Sequence, residues 1–350
     1  MADRVLVTGG AGYIGSVVTS QLLAKGCDVF VYDNLSHGSR RAIPSGAKFV
    51  NGDTGDRGAL ERIFRKQRMD AVVHLAASIE TGESMQVPEK YFRNNTANTL
   101  TLVEAMLEHK VMRLVFSSTA ALYGTPERTP IEENDPLHPT NAYGESKLLV
   151  EQMLAWLHRI HGLRYASLRY FNAAGAAGEQ GEDHLPESHL IPLTLQVALG
   201  KREHIAIYGT DYSTPDGTCV RDYIHVSDLA SAHVLVLEAL RERDKLIYNL
   251  GNGRGFSVRE VIETARRVTH HAIPAREVAR RPGDPAVLVA SSDKIKRELR
   301  WKPQFASLES IVRSAWEWRR AHPDGYGSQP ANRLRRKTAR AARKPAGGRK

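Results

Sequence analysis

Cysteine is almost absent: among 350 residues only Cys27 and Cys219 occur, each alone among apolar or β-branched neighbours. That scarcity argues against a disulfide framework or a thiolate metal centre, and it predicts a reducing, cytoplasmic setting. No run approaches the roughly 18 consecutive apolar residues of a membrane-spanning helix. Met1-Ala2-Asp3-Arg4 leads straight into Val5-Leu6-Val7, so neither a signal peptide nor a membrane anchor is expected. Acidic residues are missing from one end. From Tyr326 to Lys350 there are nine Lys or Arg and no Asp or Glu, which accounts for nine of the ten net positive charges. The body is therefore nearly neutral and gives no charge argument for nucleic-acid binding, which is confined, if it occurs, to this tail. With its Ala, Gly and Pro content, the segment 326–350 is predicted to be disordered. No internal repeat is visible. His158 and His161 share a helical face without a third ligand, so no metal site is predicted.

A hydrophobic content of 41% does suffice for a large core. Short β-branched or apolar runs alternate with longer helical patterns, the signature of a parallel sheet wrapped by helices. The predicted strands are 4–8, 27–32, 48–51, 71–75, 113–117 and 165–170, and the predicted helices 13–25, 58–65, 91–110 and 142–161. From Phe171 the alternation stops and Gly, Pro, Glu and His accumulate; a helix at 226–241 and a strand at 246–250 then resume it. The fold class expected is α/β, a Rossmann-type doubly wound parallel sheet with a smaller C-terminal substrate-binding lobe. Residues 1–170, with 220–250 returning to them, would form the dinucleotide-binding domain, and 171–219 with 251–325 the lobe.

Gly9-Gly10-Ala11-Gly12-Tyr13-Ile14-Gly15 follows the first strand and opens the first helix. Glycine permits a positive φ and a close backbone approach to a pyrophosphate, and the helix N-terminus offers unpaired N–H groups. About 20 residues on, at the end of the second strand, Asp33 is placed to accept hydrogen bonds from both hydroxyls of an adenosine ribose. A 2′-phosphate would be repelled there, so the cofactor predicted is NAD rather than NADP. Asp53-Thr54 and Leu75-Ala76-Ala77 end the third and fourth strands, where one dinucleotide can touch them all. Ser117-Ser118-Thr119 follows the fifth strand, and Tyr143-x-x-x-Lys147 opens the long helix behind it. Residues four apart share a helix face, so Lys147 can approach both the Tyr143 phenol and a bound ribose. A free phenol, with a pKa of about 10, is too weak a base at neutral pH; a nearby ammonium is expected to lower it. Thr119 is expected to hydrogen-bond the reacting hydroxyl.

This ordered set resembles the extended short-chain dehydrogenase/reductases of the NAD-dependent epimerase/dehydratase type, from about Arg4 to Tyr326. Within them, Phe116–Gly124, Asn141–Lys147, Leu168–Asn172 and Arg221–Val226 are similar to the UDP-sugar 4-epimerases. Ala120-Ala121 stands where dehydratases carry an Asp-Glu pair, which disfavours elimination. The resemblance implies Thr119, Tyr143 and Lys147 as catalytic residues. It adds Asn34, Asn94, Ser117, Tyr170 and Phe171 to the cofactor contacts. For the substrate it implies Asn172 and the arginines Arg221 and Arg281 at the diphosphate, His189 and Leu190 lining the nucleotide site, Tyr208 on uracil, and Asp284 on the uridine ribose. It also implies a homodimer through helices 91–110 and 142–161, and interconversion of UDP-glucose and UDP-galactose through a 4-keto sugar. His189, Ile79 and Leu288 depart from the pattern, so UDP-N-acetylglucosamine or UDP-xylose/UDP-arabinose stand as alternative substrates. A binding protein that senses dinucleotides without catalysis is the alternative from another class.

Overall fold

The computed structural model describes residues 3–281 and 284–327. Its first half alternates strand and helix: β1 (Arg4–Thr8), α1 (Tyr13–Ala24), β2 (Asp28–Asp33), β3 (Lys48–Asn51), α2 (Arg57–Lys66) and β4 (Ala71–His74). There follow the short helices α3 (Thr81–Ser84) and α4 (Pro88–Tyr91), then α5 (Asn98–Glu108), β5 (Arg113–Thr119), α6 (Ala142–His161) and β6 (Arg164–Tyr170). The second half holds β7 (Asn172–Ala174), α7 (Leu190–Ala198), β8 (Ile205–Tyr208), β9 (Val220–His225), α8 (Val226–Ala239) and β10 (Lys245–Leu250). It closes with β11 (Gly255–Ser257), α9 (Val258–Thr269), β12 (Ala275–Val278), β13 (Val287–Leu288), α10 (Asp293–Leu299) and α11 (Leu308–Ala321).

Seven strands pair in the order β10-β6-β5-β4-β1-β2-β3, all in parallel. The central strands are apolar on both faces because helices cover both. Val5, Val7, Val73 and Val115 meet α1 and α8 on one side. Leu6, Val72, Leu114 and Phe116 meet α2, α5 and α6 on the other. This is the doubly wound Rossmann-type sheet expected. The order reverses between β1 and β4, and in such sheets ligands bind at the carboxyl ends beside the reversal. A third core lies in the C-terminal half, where Ile191, Leu195, Ile207, Val261, Ile311 and Trp316 pack together. There β9 is flanked by β11 and β13 and also pairs with β7, and β8 pairs with β12.

Several predicted bounds shift, for identifiable reasons. The fifth strand runs to Thr119 rather than Ser117, because Ser118 and Thr119 pair with Arg169 and Tyr170 of β6; the hydroxyl cluster ends the strand instead of following it. The second strand is displaced by one residue, so Asp33 belongs to it and pairs with Asn51. The helix expected over 91–110 begins at Pro88, a residue suited to a first turn. It carries a π-helical stretch, Phe92–Ala97, before α5, and ends at Glu108 with Lys110 at φ +58°. Tyr326, assigned from sequence to the tail, is buried against Trp318, Ala42 and Ala176. The remainder of the predicted tail, from 328, lies outside the described residues.

Candidate active site

The turn after β1 sets the geometry. Gly9 has φ +71°, and a Cβ on it would stand 2.6 Å from the Ala76 nitrogen, so the turns after β1 and β4 touch backbone to backbone. A Cβ on Gly15 would lie 2.1 Å from the Gly9 oxygen, so only glycine lets α1 start this close. Gly12 caps α1 without a side-chain hydrogen bond, which leaves first-turn N–H groups available to an anion. A cavity of about 580 Å³ opens there, and Gly9, Gly12, Asp33, Asn34, Asp53, Thr54, Leu75, Ala76, Ala77 and Asn94 all line it. Ten predicted cofactor residues thus share one wall. Tyr13, Ile14 and Gly15 form the first turn behind it, where the Tyr13 hydroxyl donates to the Gly175 oxygen (2.7 Å).

Asp33 is held by two backbone donors, Ala11 N–H (3.0 Å) and Leu35 N–H (2.8 Å). Burial nevertheless pushes its carboxyl above the usual range. Asp53 accepts from Asn34 Nδ2 at 2.7 Å, joining the ends of β2 and β3. The sequence reading missed Ser36, His37, Gly38, Ser78, Lys90, Arg93 and Asn98, which also line the cavity. Two signals were available. Gly38 approaches so closely that a Cβ would meet the Ala11 carbonyl at 2.8 Å, and Asn98 follows Asn94 by one helical turn. Arg93 arrives through the π-helical stretch, which no sequence period announces, and Ser36, His37, Ser78 and Lys90 come from the segments after β2 and β4.

At the far end of the same strand edge lie Ser117, Thr119, Tyr143, Lys147 and Tyr170. Lys147 is fully buried; its ammonium donates to the Ser117 carbonyl (2.8 Å) and lies 4.8 Å from the centre of the Phe116 ring. Burial without a carboxylate partner pulls its pKa down to about 7. Tyr143 is partly buried, edge-on to Tyr91. Burial pushes the phenol up from its ordinary value, and the neighbouring Thr119 hydroxyl opposes the shift. The Lys147 ammonium, expected to lower it, is bonded to the Ser117 carbonyl, and burial disfavours its own charge. Behind these groups Arg169 and Glu151 form a buried ion pair (2.7 Å), and Ser118 donates to Glu151 (2.6 Å), fixing the end of β5. Phe171 N–H donates to the Leu250 carbonyl, tying the end of β6 to β10.

The predicted substrate residues fall into three groups. Asn172 donates to the Asp222 carbonyl (2.8 Å), next to Arg221, whose guanidinium bonds the Pro285 carbonyl (2.8 Å) and lies 3.9 Å from Asp284. Leu288, one of the departures, pairs with Arg221 across β13 and β9. Tyr208 carries the Arg281 guanidinium 3.9 Å over its ring, so the face expected for uracil is covered by the arginine expected for phosphate. His189 precedes α7, which begins at Leu190, and its Nδ1 is engaged by Glu182 (2.8 Å) and Glu187 (2.9 Å). Burial opposes a charge on His189, yet these two carboxylates hold its pKa well above the usual histidine range. Glu182, His184 and Glu187 were not anticipated from sequence, and they bear on the expectation of no metal; His158 meanwhile bonds the Leu163 carbonyl.

A doubly wound sheet, a glycine turn at its switch point and a Thr-Tyr-Lys set at the end of β5 define a dinucleotide-dependent enzyme of the short-chain dehydrogenase type. Residues 5–251 match the model of the NAD dependent epimerase/dehydratase family, and the chain belongs to that family. It is 54% identical over 328 residues to a UDP-glucose 4-epimerase of Halalkalibacterium halodurans, covering 93% of this chain and 98% of that one. A crystal structure of a UDP-glucose 4-epimerase is similar at 50% identity with a TM-score of 0.91, over 93% of this chain and 100% of that one. The Bifidobacterium longum UDP-glucose 4-epimerase in complex with NAD+ and UDP is similar at 40% identity with a TM-score of 0.88, over 92% and 99% respectively.

Proposed function

We propose that the chain is an NAD-dependent isomerase that interconverts UDP-glucose and UDP-galactose by inverting carbon 4. The observation that carries the reading is the placement of Thr119 beside the Tyr143 phenol, with buried Lys147 one helical turn away, at the carboxyl edge of a sheet whose glycine turn and Asp33 fit a dinucleotide. Bound NAD supplies a hydride acceptor and, in return, a hydride donor. The chain's own residues do the rest. Gly9, Gly12 and the first turn of α1 would hold the pyrophosphate, Asp33 the adenosine ribose, and Asn94, Ser117, Tyr170 and Phe171 the nicotinamide end. Tyr143, ionised to the phenolate, would take the proton from the 4-hydroxyl on its oxygen and later return it, and Thr119 would orient that hydroxyl. Lys147 stabilises the ionised phenol once the site is filled. A 4-keto sugar held by its diphosphate can turn its other face before the hydride comes back, so inversion needs no net redox change.

Arg221 and Arg281, with Asn172, suit the diphosphate because guanidinium forks bind phosphate oxygens bidentately. Asp284 suits the uridine ribose, His189 and Leu190 the rim of the nucleotide site, and Tyr208 the base once Arg281 turns from its ring toward the phosphates. Two further readings belong here. Leu100 on α5 and Trp156 and Ile160 on α6 are exposed apolar side chains, the last two at 58% and 65%. They support a homodimer through these helices; Trp156→Glu should convert a dimeric mass to a monomeric one in light scattering. No described helix is long and apolar enough to cross a membrane, and both cysteines are free thiols, in keeping with a cytoplasmic enzyme.

The decisive experiment compares wild type with Tyr143→Phe in the interconversion of UDP-galactose and UDP-glucose. Loss of a positioned acid–base group lowers kcat by about 10²–10⁴-fold, while NAD should remain bound. Full activity of the variant, or a wild type inert toward both sugars, would remove the assignment.

A further inference from the structure

Glu182, His184, Glu187 and His189 stand within eight residues of one another, in the segment between β7 and α7, and none belongs to the reacting set. One ligand atom from each lies within 4.8 Å of all the others. Three contacts within the group are short: His189 Nδ1 to Glu182 Oε1 at 2.8 Å, His189 Nδ1 to Glu187 Oε1 at 2.9 Å, and His184 Nδ1 to Glu182 Oε1 at 3.2 Å. A second observation points to a cation independently. The Glu187 side chain is only 5% exposed, and its Oε2 is buried with no hydrogen-bond partner. Natural proteins rarely leave a buried carboxylate oxygen unpaired.

We propose that these four residues form a divalent-metal site of the zinc class. Zinc binds imidazole nitrogen and carboxylate oxygen at about 2.0–2.2 Å, which places tetrahedral ligands about 3.4 Å apart. The three short contacts are closer than that spacing, so the groups would part slightly to admit the ion, and rotation of Glu187 would bring in its unpartnered oxygen. Two imidazole nitrogens disfavour magnesium and calcium, which take oxygen ligands. Binding would displace the protons that the carboxylates now hold on the two imidazoles; two carboxylates with two neutral imidazoles then leave two negative charges, which one divalent ion cancels.

Four protein ligands close the coordination shell, so the ion is structural rather than catalytic. Its neighbours show what it would hold. Ser188, between two ligands, donates to Glu80 Oε2 at 2.9 Å; the His184 ring meets Tyr13 edge-on in the glycine turn; and His189 caps α7. The ion therefore clamps the loop after β7 against the cofactor wall and sets the start of α7.

The test uses untagged, full-length protein stripped with a chelator and desalted. Calorimetric titration with zinc sulfate should show one equivalent per chain, of micromolar affinity or tighter (~10⁻⁶ M), and cobalt(II) should give the intense visible bands of a tetrahedral ion. His184→Ala and Glu187→Gln should each weaken zinc binding by about 100-fold, whereas His158→Ala/His161→Ala, which removes the surface pair on α6, should leave it intact. If the single variants do not fold, the cobalt spectrum of wild type decides alone. Absence of a saturable equivalent, a weak octahedral cobalt spectrum, or undiminished binding in both single variants would overturn the site. None of these readouts depends on turnover, so the metal site and the epimerase reading fail separately.

Discussion

Tyr143 and Lys147 divide their work differently from what their spacing alone implies. Four residues apart on α6, they do share a face, but Lys147 donates its hydrogen bond to the Ser117 carbonyl and has its pKa pulled to about 7 by burial. A lysine whose folded pKa lies below its unfolded value penalises the folded state at low pH, and the penalty fades as pH rises through that window. Between the folded value of about 7 and the ordinary 10.5 the unfolded chain binds more protons, so stability climbs with pH. NAD-free wild type should therefore gain stability from pH 7 to 9.5 relative to Lys147→Met, by up to about 1.4 kcal/mol per pH unit. Urea midpoints of the two proteins at each pH measure this, and parallel curves would disprove a buried, titrating ammonium. A second residue was illegible in sequence. Glu151, one turn beyond Lys147, reads as an ordinary helix charge, yet it is buried against Arg169 and accepts from Ser118. Removing one partner of a buried pair strands the other, so Glu151→Ala should lose about 3–5 kcal/mol, read from denaturant unfolding.

At the scale of elements, the parts written in local pattern were legible and those written in contact were not. Strand β1, the glycine turn and α1 follow from an apolar run, three glycines and a helical period. α6 begins at its predicted residue because Asn141 caps it, accepting from Gly144 N–H at 2.8 Å. The end of β5 was misjudged because pairing with β6, Thr119 against Tyr170 far along the chain, carries it there without any local signal. The π-helical stretch was invisible for the same reason, since no hydrophobic period encodes one extra residue in a turn. It places Asn94 on the cavity and buries Asn95, whose amide bonds Ser78 and Ser146. The glycine turn permits a sharp test. In Gly15→Ala the added methyl must displace the Gly9 carbonyl, 2.1 Å away, and the turn would move with it. Overpacking of this kind costs about 1–3 kcal/mol. NAD released per chain on heat denaturation should drop together with the melting temperature, and normal NAD content would show that the turn is looser than its geometry implies.

Across the whole molecule, one residue near the end of the described chain joins parts that are far apart in sequence. Tyr326 sits against Trp318 of α11 with Ala42 and Ala176. Its hydroxyl accepts from Gly181 N–H (2.9 Å), its own N–H donates to Asp183 (2.9 Å), and its carbonyl accepts from Arg41 (2.8 Å). The dinucleotide half, through Arg41 and Ala42, is thereby fastened to the loop after β7 and to the last helix. Composition concealed this, because Tyr326 borders a stretch whose basic, Gly- and Pro-containing character reads as tail. Truncation of a buried aromatic residue costs about 3–5 kcal/mol, and for a chain this long each kcal/mol shifts the melting temperature by about 2–4 °C. Tyr326→Ala should accordingly melt several degrees lower. Tyr326→Phe, which keeps the ring and loses the Gly181 bond, should fall between it and wild type. The loop it anchors also carries Glu182–His189, so Tyr326→Ala should raise KM for the UDP-sugar more than it lowers kcat. Equal melting of all three proteins would mean that the two halves are held together elsewhere and that the chain's fold ends before Tyr326.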